Sequence, residues 1–114
     1  MIAVIFEVEM LTKKQKDYIE FANQLMPLVE KIDGFISIER FESLTKPGRM
    51  LSLSFWRDEM AVAEWRNVVE HRKAQKAGIE TIFSDYRIRI GDIKRDYGMH
   101  KKKGAPQDSK QFHS

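Results

Sequence analysis

The chain has no cysteine among its 114 residues. That absence removes disulfides, thiolate nucleophiles, thiolate zinc sites and iron–sulfur clusters together. Chemistry must therefore run on histidine, carboxylates, aromatic rings or a borrowed cofactor. No apolar run approaches the roughly 20 residues of a membrane span, and Met1 leads straight into IAVIFEVEM without the basic region and cleavage site of a secretory signal. The expected compartment is the cytoplasm, with no membrane partner. A glycine-rich phosphate loop, a carboxylate cluster spaced for a divalent metal and an internal repeat are all missing, so no metal site is expected. Charge of one sign is scarce as well: the net +3 lies beyond Lys94, leaving the rest of the chain near neutrality. The run Lys101, Lys102, Lys103 beside His100 has no interleaved aromatics, and nucleic acid is not an expected partner.

What is present, 42% hydrophobic and 32% charged residues, is the composition of one globular domain large enough to bury a core. The chain is organised around LSLSFWRDEMAVAEWRNVVEHRKAQ, Leu51 to Gln75. It opens as a strand with Leu51, Leu53 and Phe55 on one face and Ser52, Ser54 and Trp56 on the other. Asp58 then caps a helix over 58–76 by accepting from the free N–H groups of its first turn. Ala61, Val62, Trp65, Val68 and Val69 fall on one arc with Arg72 continuing it, while Met60, Glu64, Asn67, His71 and Gln75 line its flank.

Residues 2–10 alternate as a first strand, and Thr12 reads as the cap of a helix over TKKQKDYIEFANQLMPLVEKI, with Pro27 inside and Asp33-Gly34 ending it. Phe35 to Glu42 and Arg49 to Trp56 form a hairpin across the turn SLTKPG. Ile79 to Phe83 supply one helical turn, and Tyr86, Ile88 and Ile90 alternate with Arg87 and Arg89 in a last strand, with a bulge or bend expected at Gly91. The order β-α-β-β-α-β predicts a ferredoxin-like α+β fold with both helices on one face of a four-stranded antiparallel sheet. The other face carries Ile5, Glu7, Glu9, Arg87 and Arg89, too apolar for water and too mixed for a core. A homodimer through that sheet face, burying the apolar members and pairing Glu with Arg, is the expected answer. The domain spans 1–98, and 99–114 reads as a disordered basic tail.

FWRDEMAVAEWRNVVEHRKAQKAG followed by SDYRIRIGDIKRDYG resembles the antibiotic biosynthesis monooxygenase family of dimeric α+β barrel proteins. The resemblance implies a small dimer, and its branches include cofactor-independent oxygenases of polycyclic aromatic substrates and heme-degrading enzymes. The heme-degrading pattern has an Asn on the first strand, a Trp on the second helix and a farther axial His. Trp65 matches that Trp, but His71 comes about one turn early, Gln75 stands near the ligand position, and the first strand offers Glu7 and Glu9. The cofactor-independent reading rests on His71 as base, Asn67, Arg72 or Tyr86 as donors to an oxyanion, and Trp56 and Trp65 stacked on a flat substrate with Gln75 at the pocket edge. Three functions stand open: a cofactor-independent monooxygenase using O2 on a small electron-rich aromatic or polyketide-like substrate, a heme-binding or heme-degrading protein, and a non-catalytic dimeric ligand-binding module. Each site residue also has a structural role open to it: core for the tryptophans, a carboxylate partner for Arg72, a hydrogen-bonding position for His71.

Overall fold

The alternation of apolar residues sets a sheet, and the helices follow its apolar face. The structure, a computed structural model, describes residues 1–11, 13–68, 72–73, 75–76, 78–101 and 103–108. Its elements are β1 (Ile2–Met10), α1 (Gln15–Val29), β2 (Phe35–Glu42), β3 (Arg49–Trp56), α2 (Glu59–Arg66), a π-helical turn (Gly78–Ile82) and β4 (Phe83–Asp92). All strand pairs are antiparallel in the order β2-β3-β1-β4, which is the expected ferredoxin-like topology.

Register fixes which side chains meet the helices. Val8 stands between Met50 and Tyr86, Phe6 between Ser52 and Ile88, and Val4 between Ser54 and Ile90. One buried cluster joins Ile2 and Trp56 of the sheet to Val29 of α1 and to Ala61, Val62 and Trp65 of α2. A second joins Val8 and Met50 to Tyr18 of α1 and to Ile82. Phe6, Tyr18, Phe83 and Tyr86 meet edge-on or tilted around this second cluster, with ring centroids 5.7–6.3 Å apart. Such edge contacts put the positive ring rim on a negative ring face.

Several details depart from the sequence reading. The N-cap of α1 is Lys14, whose side chain makes no cap hydrogen bond, and Thr12 lies outside the described residues. Ile36 is an extra residue against β3, so Phe35 faces Trp56 while Ser37, Glu39 and Phe41 face the opposite side of the sheet. Single-residue insertions of this kind flip the faces on either side. The irregularity of the last strand falls at Ser84 rather than Gly91: Asp85 and Phe83 pair with consecutive residues of β1, and the Ser84 hydroxyl donates to the Glu9 carbonyl at 3.0 Å. Where the domain expected over 1–98 meets the tail, Gly98 and Lys101 form an isolated antiparallel bridge.

The largest departure is in the second helix. Asp58 caps it as expected, with extended backbone and Oδ1 accepting from the Ala61 N–H at 2.9 Å. That bond, and the Arg57 guanidinium after it, hold the Asp58 carboxyl below its ordinary value. But the helix expected over 58–76 is interrupted: α2 ends at Arg66, and among the described residues beyond it 72–73 and 75–76 are helical again. The Asn67 side-chain amide turns back to donate to the Ala63 carbonyl at 2.8 Å, and the Val68 N–H takes the Trp65 carbonyl one residue early for an α-helix. Asparagine competes with the helix in this way because its short amide offers the backbone an alternative partner. Helical bonding resumes at Arg72, whose N–H donates to the Val68 carbonyl at 2.9 Å.

Candidate functional site

The start of α2 is clamped before the chain reaches any site residue. Gly34 adopts a φ of +96°, and a Cβ there would lie 2.9 Å from the Cβ of Ala61, so the glycine lets α2 approach the end of α1. Its carbonyl accepts from the Arg57 N–H at 2.7 Å. The Arg57 guanidinium then joins Asp33 at 3.2 Å and Asp58 at 3.1 Å. An open hollow of about 450 Å³ lies against this clamp, lined by Asp33, Arg57, Met60, Glu64 and Asn67 among others.

Three of the expected site residues come together at the far end of α2. The Arg72 guanidinium donates to Asn67 Oδ1 at 2.8 Å and to Gln75 Oε1 at 3.3 Å. Because Asn67 also donates to Ala63, its amide is held from both sides and its oxygen points at Arg72. The group is exposed, and Arg72 leaves the core arc on which the helical wheel places it. The regular helix is interrupted at Asn67 and Val68, between the buried arc and Arg72. His71 lies outside the described residues.

Trp56 and Trp65 share the first buried cluster and are 2% and 9% exposed. Trp56 donates its indole N–H to Ser54 Oγ at 2.9 Å and meets Phe35 edge-on. Tyr86 lies at the other end of the sheet, pairing with Val8 where Trp56 pairs with Ile2. Six strand residues separate those levels, about 20 Å. So the structure gathers Asn67, Arg72 and Gln75, packs the two tryptophans together behind them, and leaves Tyr86 apart. Among the described residues no group of His, Asp or Glu is arranged to hold a metal ion, and no helix is long and apolar enough to cross a membrane.

Two arrangements escaped the sequence reading. On the far face of the sheet, Glu7 accepts from Arg49 and, at 2.9 Å, from Arg89. The Arg49 hydrogen bond is the largest cause that draws the Glu7 carboxyl below its ordinary value. The Glu–Arg pairing expected across a dimer is thus already closed within one chain. On the helix side, Arg40 of β2 stands opposite Ser52, with its guanidinium carbon 6.0 Å from the centre of the Tyr18 ring. Its Nε is closed to solvent and has no hydrogen-bond partner. The sequence signal was a charge on the same strand face as Ile38.

The architecture and the sequence agree on relatives. The family described as Antibiotic biosynthesis monooxygenase matches residues 1–77. The chain is 42% identical over 93 residues to the protein named Jasmonate monooxygenase ABM of Pyricularia oryzae, covering 82% of this chain and 43% of that relative. It is 27% identical to the uncharacterised protein YqjZ of Bacillus subtilis, covering 82% of this chain and 79% of that one. The chain therefore spans less than half the length of the Pyricularia relative. The structure of Rv0793 from Mycobacterium tuberculosis superposes with a TM-score of 0.76 at 14% identity, covering 85% of this chain and 98% of that one, a likeness of fold. With its family profile, a relative above two-fifths identity and the β-α-β-β-α-β sheet all in agreement, this chain belongs to the antibiotic biosynthesis monooxygenase family.

Proposed function

We propose that this protein is a cytoplasmic monooxygenase that oxidises a small electron-rich substrate with O2, without a bound cofactor, as a two-fold dimer. The observation that carries the reading is the 42% identity to a protein named as a monooxygenase over most of this chain. The site geometry supports it with donors: Asn67 and Arg72 are locked together at the end of a rigid helix, where a developing oxyanion is stabilised without reorganising the protein. His71, four residues beyond Asn67, is the base in this reading.

The reaction balances without an outside reductant when the substrate is an activated phenol or a carbon acid of the anthrone type. His71 takes a proton from the substrate CH2, and the carbanion passes an electron to O2. The resulting radical pair joins through a new C–O bond, and the hydroperoxide formed on protonation loses water to leave a carbonyl. One oxygen atom ends in the product and the other in water, with all four electrons taken from the substrate and its two C–H bonds. Oxidation of an unactivated carbon would draw two electrons from elsewhere, so the need for a reductant discriminates between the two chemistries.

The test is oxygen uptake by chelator-treated full-length protein with anthrone, a polyhydroxyaromatic phenol and jasmonic acid, each with and without NADPH. Uptake of one O2 per substrate consumed, independent of NADPH, is the expected result. Uptake that requires NADPH, or that appears only after hemin is added together with a Soret band, would overturn the cofactor-free reading. Jasmonic acid enters the panel because of the Pyricularia relative's name.

A further inference from the structure

Arg40 is a cation placed where a cation needs an explanation. It lies on the helix-facing side of β2, half-buried, with the Tyr18 ring against its guanidinium. The Nε is shut away from solvent without an acceptor, and among the described residues no hydrogen bond or ion pair ties the rest of the fork. Arg49 and Arg89 are matched by Glu7, and Arg57 by Asp33 and Asp58, while Arg87 of β4 is exposed to water. Glu42 stands two residues from Arg40 on the same strand and forms no ion pair with it among the described residues. A guanidinium partly withdrawn from water and left without an anion is costly, and an arriving carboxylate would recover that cost.

The sheet continues from this cation in an ordered way. Across the four strands one level reads Arg40, Ser52, Phe6, Ile88, all on the helix side. Adjacent strands are about 4.8 Å apart, so the level runs from a cation and a hydroxyl to an apolar end in about 14 Å. Ile88 at that end is 51% exposed, and its neighbours on the same face, Tyr86 and Ile90, are also exposed. Such a gradient suits a ligand with one anionic head and an apolar body.

We infer that Arg40, with Ser52 beside it, is a carboxylate-binding site, and that the substrate class of this protein is an apolar acid. The inference rests on the monooxygenase reading only in calling that ligand a substrate. A carboxylate fits better than a phosphate. A lone guanidinium balances one negative charge and takes a carboxylate bidentately, whereas a dianion would lack a second cation and would meet Glu42 nearby.

The experiment titrates the full chain with naphthylacetic acid and with its methyl ester, which keeps the body and removes the charge. The wild type is expected to bind the acid at least tenfold more tightly than the ester. Arg40→Met, which keeps the aliphatic stem against Tyr18, is expected to erase that preference and leave ester affinity unchanged, while Arg40→Lys keeps part of it. Equal binding of acid and ester by the wild type would overturn the inference, as would an acid preference that survives Arg40→Met or no binding of the acid at millimolar concentration. Inorganic phosphate that displaces the acid at equal concentration would also overturn it, since the site would then be a general anion site. Melting curves of both variants check that they fold, and Lys decides the case where Met does not. Oxygen uptake with anthrone by the wild type separates the two readings: uptake beside equal acid and ester binding by the wild type sinks this site and spares the activity. Acid selectivity without uptake by any substrate does the reverse.

Discussion

Replacing Gly34 by Ala tests how tightly the start of α2 is held against the end of α1. Two costs add. The backbone sits at φ +96°, where an L side chain costs about 1–2 kcal/mol. The new methyl would also lie 2.9 Å from Ala61 Cβ and 3.3 Å from Arg57 Cβ, and overpacking of a buried contact costs about 1–3 kcal/mol. The expected loss is about 2–5 kcal/mol, against a total of about 6–17 kcal/mol for a chain of this length. Urea unfolding should show the midpoint falling with an unchanged slope. Gly48 is the control: it has φ +81° but open space where the methyl would go, so Gly48→Ala should cost the backbone part alone, about 1–2 kcal/mol. Ala61→Gly in the Gly34→Ala background removes the opposing methyl, and the cycle should show a coupling of about 1 kcal/mol or more. Equal losses at Gly34 and Gly48, with no coupling to Ala61, would refute the clash.

The remaining predictions concern charge, the site and assembly. Glu7 titrates below its ordinary value when folded, so its stabilisation is complete above the unfolded pKa near 4.3 and disappears as the pH falls through the lower folded value. Glu7→Gln should therefore flatten the acid limb of the melting temperature against pH, and an unchanged limb counts against the pairing with Arg49 and Arg89. His71→Ala should abolish oxygen uptake with little loss of melting temperature, while Trp65→Ala should cost about 3–5 kcal/mol in urea because the ring is buried; full uptake by His71→Ala removes it as the base. Light scattering at micromolar concentration should give twice the chain mass, and Leu53→Asp on the far sheet face should give the monomer. A wild-type monomer would reject the dimer.

Much of this fold was legible because alternation and periodicity are local. Ser52, Ser54 and Trp56 share one face as their spacing requires, and Asp58 caps α2 as its position before an apolar run requires. The failures are events that hide within a good pattern. Ile36 and Ser84 each insert one residue without breaking the apolar content of their strands, so the flip of faces has no compositional mark. The apolar arc of α2 runs on past Val68, yet the Val68 N–H takes the Trp65 carbonyl and interrupts the regular helix there. For the site, Asn67 and Gln75 were legible as a polar flank. Arg72 joins them as an exposed residue although the wheel puts it on the core arc, and Arg40 alternates with exposed neighbours on β2 without a mark that it meets Tyr18.

In the proposed mechanism the interruption at Asn67 links stability to function. Upstream, everything fixes α2: the Asp58 cap, the Arg57 clamp on Asp33, the close approach at Gly34 and the burial of Trp65. A continuous helix would carry Arg72 onward along the core arc, where its charge would need a buried partner. Beyond the interruption Arg72 is exposed and meets two amide oxygens, which accept hydrogen bonds without neutralising its charge. The guanidinium is thereby positioned and still cationic, which is the state in which it can stabilise a developing anion. A carboxylate in place of Asn67 would hold Arg72 more strongly and spend that charge. The Asn67 amide thus donates to the Ala63 carbonyl at the end of α2 and accepts from the cation, so one side chain ties the helix end to the charge beside it.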